Sequence, residues 1–143
     1  MQPDKQASVV VPFQQRVEPA DLSVRKLTAH LIGQATPMDL DVRAIDTPDA
    51  TLKANFHYGA THGGIAKGFI SFQQGSPALS GVSGLTPEAV AAILVDHLQG
   101  YQQGPLACSQ FAGAIANFQA GLQYLLDRNA DRAKRGVDQT NNP

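Results

Sequence analysis

The large apolar residues Phe111, Ile115, Phe118, Leu122 and Leu125 recur at steps of four, three, four and three. That 3.5-residue period suits a long helix whose apolar seam packs lengthwise on a partner helix. The spacing predicts a helix from about Ser109 to about Lys134, stopped by Gly136. Small residues along it, Ala112, Gly113, Ala116, Ala120 and Gly121, suit close approach of a neighbour. Gly113 and Gly121 each cost about 1 kcal/mol relative to alanine in a helix interior, and close packing is the expected return. A partner lies just upstream. Thr86-Pro87-Glu88 reads as a helix start, with a capping hydroxyl, a proline suited to the first position and an acid that complements the dipole. Val90, Ile93, Leu94, His97 and Leu98 form its expected buried stripe, and Gly100 its expected end. Together these two segments predict an antiparallel helical hairpin over about residues 86–135.

The first half of the chain carries a different period. Met38, Leu40, Val42 and Ala44 alternate with Asp39, Asp41 and Arg43, as in a half-buried strand. Asp46-Thr47-Pro48-Asp49 reads as a turn. A second strand is expected over Leu52–Tyr58, a glycine-bearing turn over Gly59–Gly64, and a third strand over Ile65–Phe72. Sequential strands with short turns make an antiparallel meander. Leu22–Gly33 fits a short strand and a short helix equally well. Gln73–Leu85, with three glycines and a proline, reads as a loop. The expected fold class is therefore α+β: a small antiparallel sheet followed by an antiparallel two-helix hairpin, in an oligomer. Residues 1–20 are expected to be a flexible segment with an apolar patch at Val9, Val10, Val11 and Phe13. Residues 21–137 are expected to form a single domain with its sheet at about 36–72, and residues 138–143 a polar tail with nothing to bury.

Composition narrows the function. Apolar residues make up 43% and charged residues 16% of the chain, within the range of globular domains. A net charge of −1 weighs against a duplex DNA or RNA binder, which usually carries a strong basic excess. One cysteine, Cys108, leaves no intramolecular disulfide to form. No basic start precedes an apolar run, so no signal peptide is expected. Ala89–Val95, the longest apolar-rich run, is too short to span a membrane.

Catalytic and metal signatures are weak. His30, His57, His62 and His97 are scattered rather than paired at zinc-ligand spacing. Cys108 precedes a helix start, where a thiol pKa can fall, but no local His/Asp arrangement accompanies it. The segment GSPALSGVSG lacks both the P-loop Lys-Ser/Thr and the GxGxxG order. Asp96 and His97 are adjacent, and adjacent helical residues point to different faces. Arg128, Arg132 and Arg135, at i, i+4 and i+7, share one helical face. Guanidinium forks suit phosphate oxygens and stack on bases. Equally, cations at a helix C-terminus neutralise its dipole. Tyr101, between the helices, suits stacking on a base or plugging the end of the hairpin.

Several of these pieces recur in an order that resembles a family. They are Phe72-Gln73-Gln74-Gly75, Gly81-Val82-Ser83-Gly84, Val95-Asp96-His97-Leu98, Tyr101-Gln102, Ala107-Cys108 and the run from Arg128 to Val137. The pattern, over about half the chain, is similar to phage proteins that sponge bacterial immune signals: the anti-Thoeris Tad family and, through a shared helical hairpin, the anti-CBASS Acb family. The resemblance implies a non-catalytic protein without cofactor or metal. Such a protein binds cyclic nucleotides, namely glyco-cyclic ADP-ribose isomers or cyclic oligonucleotides, in the host bacterial cytoplasm. It implies a dimer or hexamer with pockets between subunits, and no partnership with DNA, RNA or membrane. It gives Tyr101 the role of base-stacking aromatic and Arg128 that of phosphate ligand, with Arg132 as neighbour; Gln102, Arg135, Ser83 and Phe111 complete the expected ligand-binding set. Phe111 stands where the family often has Asn, and Ser83 where its loop often has Asn. These departures favour an alternative: a structural or protein-interaction module that uses the hairpin for assembly.

Overall fold

The computed structural model describes residues 25–31 and 38–142. Four strands, β1 (Arg25–Leu27), β2 (Asp41–Ala44), β3 (His57–His62) and β4 (Ile65–Ser71), precede three helices, α1 (Pro77–Ser80), α2 (Pro87–Gln102) and α3 (Ser109–Lys134). The chain divides between Ser71 and Phe72 into two compact units, one holding the sheet and the other the helices. The α+β class and the antiparallel sheet match the sequence expectation. The expected flexible N-terminal segment, its apolar patch and the turn at Glu18–Asp21 lie outside the described residues.

In the sheet unit the strands follow sequence order, β1-β2-β3-β4, and all pair antiparallel. Of the ambiguous segment after Leu22, Arg25–Leu27 is a strand, with Arg25 opposite Ala44 and Leu27 opposite Val42, and a turn follows it, closed by the Leu31 amide on the Thr28 oxygen. The second expected strand is displaced, beginning at His57 rather than Leu52. Asp49 is the cause: its carboxylate accepts from the amides of Thr51 and Leu52 at 2.8 and 2.7 Å. Lys53 takes a left-handed φ of 61°. Such side-chain-to-backbone bonding turns the chain before a ladder can form. The expected turn at Gly59–Gly64 shrinks to two residues. Gly63 and Gly64 have φ of 56° and 76°, the paired positive angles that a tight hairpin needs at both central positions. His62 then faces Ile65 directly. A bulge between Ala60 and Thr61 shifts the register once.

Among the described residues, Ala44 is the only buried hydrophobic residue of this unit. Beside it sits a polar knot around buried Asn55. The Asn55 amide donates to the backbone oxygen of Asp46 at 2.7 Å and to its carboxylate at 3.1 Å, while its Oδ1 accepts from Arg25 at 3.0 Å. The Asp46 carboxylate also accepts from the Phe56 amide at 2.8 Å. Burial pushes the Asp46 carboxyl pKa up. The bonds from the amides of Phe56, Asn55 and His57 outweigh it, and the net shift is downward.

In the helical unit, Thr86 caps α2 by accepting from the Ala89 amide at 3.2 Å, with Pro87 at the first helical position and Glu88 behind it. Gly100 does not end α2, which runs two residues further to Gln102. A single helix glycine is tolerated at a cost of about 1 kcal/mol, and the backbone turns only at Gln103 and Gly104. The long helix α3 has the expected limits. At its end the Gly136 amide donates to Ala133 and the Val137 amide to Arg132, with Gly136 at φ 72°. This pair of bonds is the Schellman stop, which needs a residue free to adopt the left-handed angle.

The two long helices pack on each other. On α3 the seam residues Phe111, Ile115, Leu122 and Leu125 are half-buried, and Phe118 is slightly more open. The expected stripe on α2 is corrected. Val95 is its one buried residue, and Glu88, Ala91, Leu98 and Gln102 flank it at helical spacing. Of the expected stripe, Val90 and Leu98 are half-buried, whereas Ile93, Leu94 and His97 are exposed, Ile93 to 61%. The α2 sequence carries two apolar stripes, and periodicity alone does not say which one meets α3. The expected close packing at Gly113 and Gly121 is also absent: a Cβ at either position would meet open space within this chain. In the segment expected to be loop, Pro77–Ser80 forms one turn of helix.

Candidate functional site

The residues that sequence reasoning singled out fall into two clusters, at opposite ends of α3. The first lies where α2 passes into α3. Tyr101 stacks on Phe111, with ring centroids 5.4 Å apart and planes at 19°. His97, one helical turn before Tyr101, meets its ring edge-on at 4.6 Å. Both arrangements are favoured by the aromatic quadrupole. Tyr101 remains 38% exposed, so this three-ring platform is open to a planar partner. Gln102 faces inward on the connection instead: its Oε1 accepts from the Cys108 amide at 2.8 Å and closes the loop leading into α3. Cys108 itself is exposed.

The second cluster gathers the arginines of late α3 and the loop before α2. Arg128 is exposed and makes no hydrogen bond or ion pair among the described residues. Arg135 pairs with Asp131 one turn back at 2.9 Å. Arg132 points its guanidinium into the C-terminal segment, donating to the backbone oxygens of Val137 at 2.8 Å and Thr140 at 2.9 Å, and to that of Asn142. Residues 138–142, part of the expected polar tail with nothing to bury, are held against the end of α3 by these polar contacts. Asn129 joins this end of α3 to the start of α2 by donating to Glu88 at 3.0 Å.

Ser83 sits in a loop organised by a residue that sequence reasoning missed. The Gln73 side chain accepts from the Ser83 amide at 2.8 Å and donates to the oxygens of Gly81 at 2.8 Å and Gly75 at 3.3 Å. Ser83 Oγ accepts from the Gln74 amide at 3.0 Å. A parallel bridge between Phe72 and Leu85 closes the loop at its base.

The two clusters do not meet within one chain. Phe111 and Arg128 are 17 residues apart on one helix, about 25 Å along its axis. A small molecule bound to one chain therefore does not reach both the rings and the Arg128 guanidinium. His97 was missed as a platform member, although its i, i+4 spacing from Tyr101 was the available signal. Nothing in the sequence pointed to Gln73 as the loop's organiser or to Arg132 as the anchor of the tail. Among the described residues no three or more His, Cys, Asp or Glu side chains gather as they would around a metal ion. No helix among them is long and apolar enough to cross a membrane.

No family model matches the chain. It is 32% identical over 71 residues to the Thoeris anti-defense 1 protein of Bacillus phage SBSphiJ7. That stretch is 50% of this chain and 50% of the phage protein. The chain thus spans about half the length of the curated relative it matches.

Proposed function

We propose that this chain is a phage anti-defence protein that counters Thoeris-type immunity by binding a cyclic nucleotide signal and withholding it, without cleaving it, inside the host bacterial cytoplasm. The likeness to a phage protein named for anti-defence against Thoeris carries the biological part. The aromatic platform at the helix junction carries the chemical part. Tyr101, backed by Phe111 and His97, offers a ring face to a base. Arg128, exposed and unengaged among the described residues, offers a fork to a phosphate.

Assembly completes the site in this reading. Two copies packed antiparallel along their helices would bring the platform of one beside Arg128 of the other. The outward residues Ile93 and Leu94, together with 78%-exposed Tyr124, supply apolar surface for that contact. Gly113 and Gly121, open within one chain, allow the second backbone to approach. The hairpin is then the assembly element of a dimer or hexamer. Sub-micromolar capture needs about −8 kcal/mol. Stacking offers about 1–3 kcal/mol per base, and each charge-assisted arginine contact about 1.5–3 kcal/mol. Two stacked bases and two arginines reach that range. In each pocket the arginines then come from copies other than the one whose platform it uses.

Equilibrium dialysis against glyco-cyclic ADP-ribose isomers and cyclic di- and trinucleotides tests the assignment. Tyr101→Ala and Arg128→Ala should each weaken binding at least about tenfold. Unchanged affinity in both variants would remove these residues from the site. One set of observations favours a second reading, an interaction module without a ligand. Gln102, Ser83, Arg132 and Arg135 are already bonded within the chain. Retained assembly with no retained nucleotide would select it.

A further inference from the structure

The C-terminal segment is bonded to two parts of the helical unit, the end of α3 just before it and the Ser76 turn far from it in sequence. Arg132 takes the backbone oxygens of Val137, Thr140 and Asn142. The segment is also closed on itself. Thr140 Oγ1 donates to the Val137 oxygen at 2.8 Å and accepts from the Asn142 amide at 3.2 Å. Beyond Thr140, the Oδ1 of Asn141 accepts from the backbone amide of Ser76 at 2.7 Å, across 65 residues of sequence. Ser76 is only 6% exposed. An amide buried so deeply and left without an acceptor would be costly. Gly75, at φ 76°, makes room for this contact. A Cβ there would lie 3.1 Å from Ser80 Oγ and 3.4 Å from Asn141 Oδ1.

We propose that residues 137–142 form a strap, anchored by the Arg132 fork, which fixes the shape of the Gln73–Gly84 loop through Asn141 and the Ser76 amide. Arg132 is then a positioning residue that acts on the loop through the strap. The reason lies in the donor geometry. A guanidinium presents several N–H groups in one rigid plane and grips three carbonyls together, which a single ammonium on a flexible stem does not reproduce. Ser76 also begins α1: its oxygen accepts from the amides of Leu79 and Ser80 and from Ser80 Oγ. Releasing the Ser76 amide therefore loosens the one-turn helix together with the loop that carries Ser83. This inference is independent of the ligand reading.

Amide hydrogen exchange on the full-length protein and its variants tests it. Asn141→Ala and deletion of residues 138–143 should each speed exchange at Ser76, Leu79, Ser80 and Gly81 at least about tenfold, leaving the centre of α2 around Val95 unchanged. Asn141→Asp keeps the acceptor oxygen and should restore most of the protection. Arg132→Lys should fall between the native chain and the deletion. If Arg132→Lys destabilises the whole unit, Asn141→Ala and Asn141→Asp decide the question alone. Loop exchange within about twofold of native in both Asn141→Ala and the deletion would overturn the proposal. So would a loss in Asn141→Asp equal to that in Asn141→Ala.

Discussion

The two units of this protein are held together by different physics. The sheet unit is short-stranded and depends on a buried polar knot, in which Asn55 ties Arg25 to the Asp46 turn. The helical unit depends on long helices with well-made ends: the Thr86 cap, the Gly136 stop and a half-buried seam. Each buries a single hydrophobic residue among those described, Ala44 in one and Val95 in the other. A small buried core makes hydrogen bonding and capping matter more, because less hydrophobic burial is available to offset the loss of a polar contact. Polar damage should therefore act locally and differ between the units.

The largest expected effect is in the sheet. Asn55→Ala removes the acceptor of Arg25 and a donor to Asp46, and should destabilise the sheet unit by about 2 kcal/mol. Chemical-shift-resolved thermal unfolding should show β2 and β3 melting earlier while α2 and α3 stay where they were. Equal loss in both units would erase the contrast. Acid sharpens it further. The folded Asp46 carboxyl has a lowered pKa, so its stabilisation is fully present above the unfolded value of about 3.9 and is lost as pH falls through the folded value. Sheet amide signals should therefore disperse less below about pH 4, and Asp46→Asn should flatten that dependence.

The helical unit should respond to its ends. Thr86→Ala should cost about 1 kcal/mol, read as faster exchange in the first turn of α2. Gly113→Ala and Gly121→Ala carry a more diagnostic sign. In an isolated chain each should stabilise α3 by up to about 1 kcal/mol, because a Cβ there meets open space. In an oligomer with helices in close contact the same changes should shift the mass measured by light scattering downward. The smallest effect should come from Arg43→Ala. Arg43 forks onto Asp41 at 2.8 and 3.0 Å, but both side chains are more than a third exposed. Exposed pairs of this kind contribute little, and the melting temperature should not move measurably.

The same contrast explains what the sequence made legible. The 3.5-residue repeat from Phe111 to Leu125 gave α3 its limits, and Thr86-Pro87-Glu88 gave α2 its start, because caps and periods are local signals. The strand at His57–His62 was displaced because one side chain, Asp49, redirected the preceding amides. No alternation of apolar residues reports that. The expected stripe on α2 mixes inward residues, Val90 and Leu98, with outward ones, Ile93, Leu94 and His97, since two stripes on one helix look alike until a partner is chosen. For the site, Tyr101 and Phe111 were legible as aromatic residues but not as a stacked pair. Arg132 and Gln73 owe their roles to contacts made by the folded chain, and their residue types did not announce them.

Isothermal titration calorimetry is the direct test of the central claim. The protein is titrated with glyco-cyclic ADP-ribose isomers, cyclic dinucleotides and cyclic trinucleotides, and the ligand is recovered after denaturation. The expected result is sub-micromolar binding of at least one of them, worth about −8 kcal/mol or more, with the ligand returned chemically unchanged. Absence of binding to every member of the panel, or recovery of a cleaved product, would contradict it.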